Sequence, residues 1–60
     1  MPISGKEMLK IFQENGWIFL RQKGSHVIVG KGKLRESIPM HRELKKGLES
    51  KLFKILKRGE

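Results

Sequence analysis

The chain has 60 residues, a net charge of +8 and a sequence pI near 10.4, and it contains no cysteine. A domain this small buries only about 60% of the surface its unfolded chain exposes, which leaves no room for a second domain or a deep cofactor cavity. The lack of cysteine excludes disulfides and thiolate metal sites, and no apolar run approaches the roughly 20 residues of a membrane span.

Met1-Pro2-Ile3 offers neither a charged n-region nor a long apolar h-region. No signal peptide is expected, and the cytoplasm is the expected location. Ser4 then reads as a helix N-cap, and Glu7 three residues later completes a capping box. Met8, Leu9, Ile11 and Phe12 form a helical apolar stripe, and Asn15-Gly16 ends the helix.

Trp17 to Lys23 reads as a strand from its aromatic and β-branched content, and His26 to Gly30 as the next. Gly24 allows the tight turn between them. With Lys23-Gly24 as the two turn residues, Arg21 faces His26, Leu20 faces Val27 and Ile18 faces Val29. One face then carries Ile18, Leu20, Val27 and Val29, fit for burial. The other carries Trp17, Phe19, Arg21, His26 and Ile28 and is left open.

Gly30-Lys31-Gly32-Lys33 reads as a second turn, and Leu34 to Ile38 as a third strand closed by Pro39. A loop over Pro39 to Arg42 follows. The helical pattern returns from Glu43, with Gly47 marking the true helix start. Leu44, Leu48, Leu52, Ile55 and Leu56 fall on one side; Lys46, Lys54, Lys57 and Arg58 fall on the other. The expected order is α-β-β-β-α over residues 1–60. This is a single α+β domain, a three-stranded antiparallel sheet with two helices on one face.

The charge is unevenly placed. Residues 1–20 balance two Lys against two Glu. Residues 21–35 hold Arg21, Lys23, Lys31, Lys33 and Arg35 with no acid. That concentration in the hairpin region is the footprint of a polyanion binder. His26 stands within it, beside the Ser25 hydroxyl, and imidazole can take or give a proton near neutral pH. Cleavage of RNA needs a base for the 2′-hydroxyl, cations for the developing charge and an acid for the leaving oxygen. His26 is the candidate base. Arg21, Lys23, Ser25, Lys31 and Lys33 are candidate phosphate contacts. His41 is a candidate acid only if the loop after Pro39 folds back to the hairpin.

Other site classes fail on spacing. Two histidines with no cysteine or aspartate make no zinc site. Gly30-Lys31-Gly32 lacks the ending of a phosphate loop, and Ser25-His26 has no orienting carboxylate. No cofactor is expected. A non-catalytic RNA-binding module, reading shape through basic loops and a helix, fits the same composition and charge. So does a basic partner for an acidic protein.

Gly16-Trp17, the string Arg21-Gln22-Lys23-Gly24-Ser25-His26, then Ile38-Pro39-x-His41 and Lys46-Gly47 occur in this order across nearly the whole chain. Together they resemble the HicA family of toxin mRNA interferases. The resemblance implies a fold like a double-stranded-RNA-binding domain and a metal-independent ribonuclease that cleaves mRNA. It also implies a HicB-type antitoxin as partner and His26 as the catalytic histidine. The toxin alone is expected to be a monomer, with no membrane association. The chain departs from the family pattern at Gly47-Leu48-Glu49, where relatives commonly carry Gly-Thr-Leu.

Overall fold

The structure, a computed structural model, describes residues 3–58. Met1 and Pro2, which bear on the signal-peptide reading, lie outside that range. Helix α1 spans Gly5–Glu14. Its capping box is complete: the Ser4 hydroxyl accepts from the Glu7 amide at 3.1 Å, and the Glu7 carboxylate accepts from the Ser4 amide at 3.1 Å. Two of the donors that a helix start leaves orphaned are thereby satisfied.

Three strands follow, β1 (Ile18–Lys23), β2 (His26–Lys31) and β3 (Leu34–Pro39), in the order β1-β2-β3, with both pairings antiparallel. Helix α2 spans Lys46–Arg58. The predicted α-β-β-β-α order holds. Met8 and Phe12 from α1, Val27 and Val29 from β2, Ile38 from β3 and Leu52 and Leu56 from α2 form one buried cluster. Both helices therefore cover the same face of the sheet. Pro39 closes β3 as its last residue, one position beyond the expected end at Ile38, and pairs with His26. An edge strand tolerates a residue that cannot donate.

The hairpin register differs from the expected one. Lys23, not Arg21, faces His26, and the turn residues are Gly24-Ser25. The reason lies in turn chemistry. A two-residue loop with glycine second belongs to the type I′ class and would need a positive φ at Lys23 as well. Among the described residues only glycines have positive φ, Gly24 at 61° among them. Glycine therefore takes the first central position, as a type II′ turn requires.

A β-bulge between Phe19 and Arg21 then re-sorts β1. Phe19 faces Val29 and Gln22 faces Val27, so both turn toward the helices. Ile18 faces Gly30 and Arg21 faces Ile28, so both lie on the open face. Leu20 is the extra residue, and its side chain reaches toward Gly30 on that open face. Ile18 and Leu20 are thus 65% and 45% exposed instead of buried. Trp17 moves the other way. Its amide donates to the Phe12 carbonyl at 3.0 Å. That bond turns the ring under α1, where it is buried and meets Phe12 edge-on at 5.1 Å.

Candidate functional site

The site is built where three backbone segments meet. The Gly24-Ser25 turn leads into His26, the first residue of β2. The chain leaving β3 runs alongside, and the Met40 amide donates to the Ser25 carbonyl at 2.6 Å. The start of α1 closes the arrangement from behind, with the Gly5 amide donating to the His41 carbonyl at 2.9 Å. These two bonds fix the backbone on both sides of His41. The loop after Pro39 does fold back to the hairpin. The His26 and His41 rings stand 6.5 Å apart between centroids, inclined at 64°.

Both histidines are exposed. Two rings at this spacing can each present a nitrogen to oxygens of one phosphoryl group lodged between them, through hydrogen bonds of about 2.8 Å. One neutral and one protonated imidazole so placed can remove a proton from an attacking hydroxyl and supply one to a leaving oxygen.

The cations divide into two groups. Lys23 is directly across from His26, and Arg21 lies one row further along the open face, opposite Ile28. Both are exposed. Arg21 shares a shallow patch with Leu20, Ile28 and Arg35. Ser25 stands in the turn itself, its carbonyl engaged by Met40. Lys31 and Lys33 are not brought to this end. Lys31 closes β2 about 17 Å along the strand from His26, taking about 3.4 Å per residue. Its ammonium donates to the Asn15 carbonyl at 2.9 Å. A cation there satisfies one of the carbonyls that end α1 and opposes the helix dipole. Lys33 sits in the second turn, exposed, at that same far end.

Sequence reasoning left the position of His41 conditional. The bond that decides it, Met40 to Ser25, joins two backbone groups and has no side-chain signature. The sign that could have been read is Gly5. It is buried at the first turn of α1, and a Cβ there would collide with the Pro39 carbonyl. A glycine immediately after an N-cap serine, where alanine would favour the helix more, hints at a close backbone approach.

Among the described residues no three His, Cys, Asp or Glu side chains lie together as a metal site, and no helix is long and apolar enough to cross a membrane. Residues 5–57 match the family model described as the HicA toxin of bacterial toxin-antitoxin systems. No curated protein and no solved structure shows a significant match to the chain. The family match takes in every element of the fold and both histidines, and by it the chain belongs to the HicA toxin family.

Proposed function

We propose that this toxin is a metal-independent mRNA endoribonuclease in which His26 and His41 act as a base and acid pair. The observation that carries the reading is the 6.5 Å separation of the two exposed rings on a basic, acid-free hairpin tip. His26 takes the proton of a ribose 2′-hydroxyl, and that oxygen attacks the adjacent phosphorus. His41 gives a proton to the departing 5′-oxygen. The products are a 2′,3′-cyclic phosphate and a free 5′-hydroxyl, so bonds and protons balance without an added reactant. Lys23 and Arg21 stabilise the charge that gathers on the phosphoryl oxygens. A HicB-type antitoxin neutralises the toxin by occupying this surface.

The test is cleavage of a single-stranded RNA by purified protein in EDTA, with product ends identified. Cyclic phosphate ends are expected. His26→Ala and His41→Ala should each lose about 100-fold or more in kcat, the usual range for a positioned acid or base, while melting as the wild type does. Wild-type rates in His41→Ala would remove the acid from the scheme. Tight RNA binding by a wild-type protein that cuts nothing would leave a non-catalytic RNA-binding module.

A further inference from the structure

Beside the histidine pair, on the helix side of β1, lies a groove of about 490 Å³. Sites that take a small ring system fall in the range of roughly 300–1,000 Å³. Its floor is apolar, made by Leu9, Val27 and Met40, and Phe19 and Gln22 of β1 stand along it. His41, one of the two rings proposed to act on the phosphate, also lines it. Phe19 is 44% exposed although it turns toward the helices, so one surface of the ring is available to a ligand. The bulge at Leu20 puts it there: a regular strand of the expected register would have turned Phe19 to the open face.

The polar groups narrow the occupant. The Gln22 amide nitrogen donates to the Gly24 carbonyl at 3.1 Å. A carbonyl can only accept, so the amide orientation is settled, and Oε1 is left as an acceptor for a ligand N–H. The charged residues of the lining, Lys6 and Arg42, are both cations, and no carboxylate joins them. An apolar groove lined by an exposed aromatic, one amide acceptor and two cations suits an unstacked base attached to a phosphate chain.

We infer that this groove is a nucleobase subsite, holding the base next to the cleaved phosphodiester and thereby setting the cleavage preference. The inference rests on the ribonuclease reading above and deepens it. Phe19 is the stacking platform, Gln22 reads an N–H of the base edge, and His41 links the subsite to the reacting phosphate. Phe19 and Gln22 are positioning residues and touch no reacting atom.

The experiment uses single-stranded oligoribonucleotides in which one abasic nucleotide is walked across the cleaved position. At one position the wild-type protein should lose about 5- to 150-fold in kcat/KM, the worth of one stacked base. That penalty should vanish in Phe19→Ala and persist in Phe19→Trp, with unchanged melting curves for all three proteins. Gln22→Ala should flatten the preference among the four bases at the same position. An abasic penalty of equal size in Phe19→Ala overturns the subsite, as does the absence of any position-specific penalty in the wild type. If Phe19→Ala leaves RNA turnover unchanged but weakens antitoxin capture, the groove serves a protein side chain and the inference is wrong. Should the wild type cut no RNA, the same oligonucleotides read by binding to it still decide. A position-specific, Phe19-dependent loss of affinity then upholds the subsite while the ribonuclease reading fails.

Discussion

Replacing Gly5 by alanine tests how the site is held. The new Cβ would come within 2.9 Å of the Met40 Cα and closer still to the Pro39 carbonyl oxygen. Both are backbone atoms, so no side chain can swing away. Relief requires α1 and the segment after β3 to separate. Overpacking of this kind costs about 1–3 kcal/mol. The separation also lengthens the Gly5 to His41 hydrogen bond, now 2.9 Å, and losing it leaves a buried donor unsatisfied for about 1–3 kcal/mol. The expected total is about 2–6 kcal/mol, against roughly 3–9 kcal/mol for the whole domain at this length. Alanine's better helix propensity returns about 1 kcal/mol, and at about 4–8 °C per kcal/mol for a domain of this size Tm should fall by at least about 4 °C. Trp17 is the only tryptophan and is buried, so its fluorescence reports the melt directly. A Gly5→Ala protein melting within about 3 °C of the wild type would refute the close-approach argument, since alanine's better helix propensity offsets only about 1 kcal/mol.

Four further outcomes follow from the geometry. The proposed base and acid pair works with one imidazole neutral and the other protonated, so kcat/KM should trace a bell against pH. A stopped assay across the range should show the alkaline limb lost in His41→Ala; an unchanged bell would mean that another group is the acid. Lys23→Ala should lower the salt slope of single-stranded RNA binding by about 0.7, one phosphate contact, with little change in stability. Lys31→Ala should do the reverse, sparing the slope and costing about 1–2 kcal/mol through its lost bond to Asn15. Titrations in increasing salt beside denaturant melts separate the two, and a slope change in Lys31→Ala would put that end of the sheet on the RNA path. Finally, the Ser4 backbone amide, and after it the Ser4 side chain, hold the Glu7 carboxyl below its ordinary value. A lowered carboxylate contributes stability above its unfolded value and loses it as pH falls through the folded one. The wild type should therefore weaken as pH drops below about 4.3, and Glu7→Gln should weaken less over that interval. Parallel acid dependence of the two proteins would count against the box.

The helices were legible because their signals are local. Ser4 with Glu7, the stripe from Met8 to Phe12 and the glycine after Asn15 all act within a few residues of one another. The sheet was legible in number and order of strands but not in register. Gly24 can sit at either central position of a turn, and choosing the second shifted every pair in the hairpin. The bulge at Leu20 compounded this, since an extra residue in one strand leaves no trace in an apolar run such as Ile18-Phe19-Leu20. Trp17 was misplaced for a related reason. Read as the first residue of a strand, it alternates with its neighbours; tied to Phe12 through its amide, it belongs to the helix terminus. Of the candidate cations, Lys31 shows how composition misleads. It looks like its basic neighbours until its reach to the end of α1 is known.

The backbone ties around His41 also bear on timing. Each strand pairs with its neighbour in sequence through a short turn, and contacts of that kind close quickly during folding. The tie from Gly5 to His41 spans most of the chain and carries a larger loop-closure cost. The sheet, with His26 in place and the Met40 amide paired to Ser25, can therefore form before α1 ties down the backbone beyond His41. Final fixing of the proposed histidine pair is expected to be among the last events of folding. A partner that grips the hairpin during synthesis would intercept the chain before that pair is fixed. Pulsed hydrogen exchange would show this as late protection of the Gly5 amide relative to those of β2.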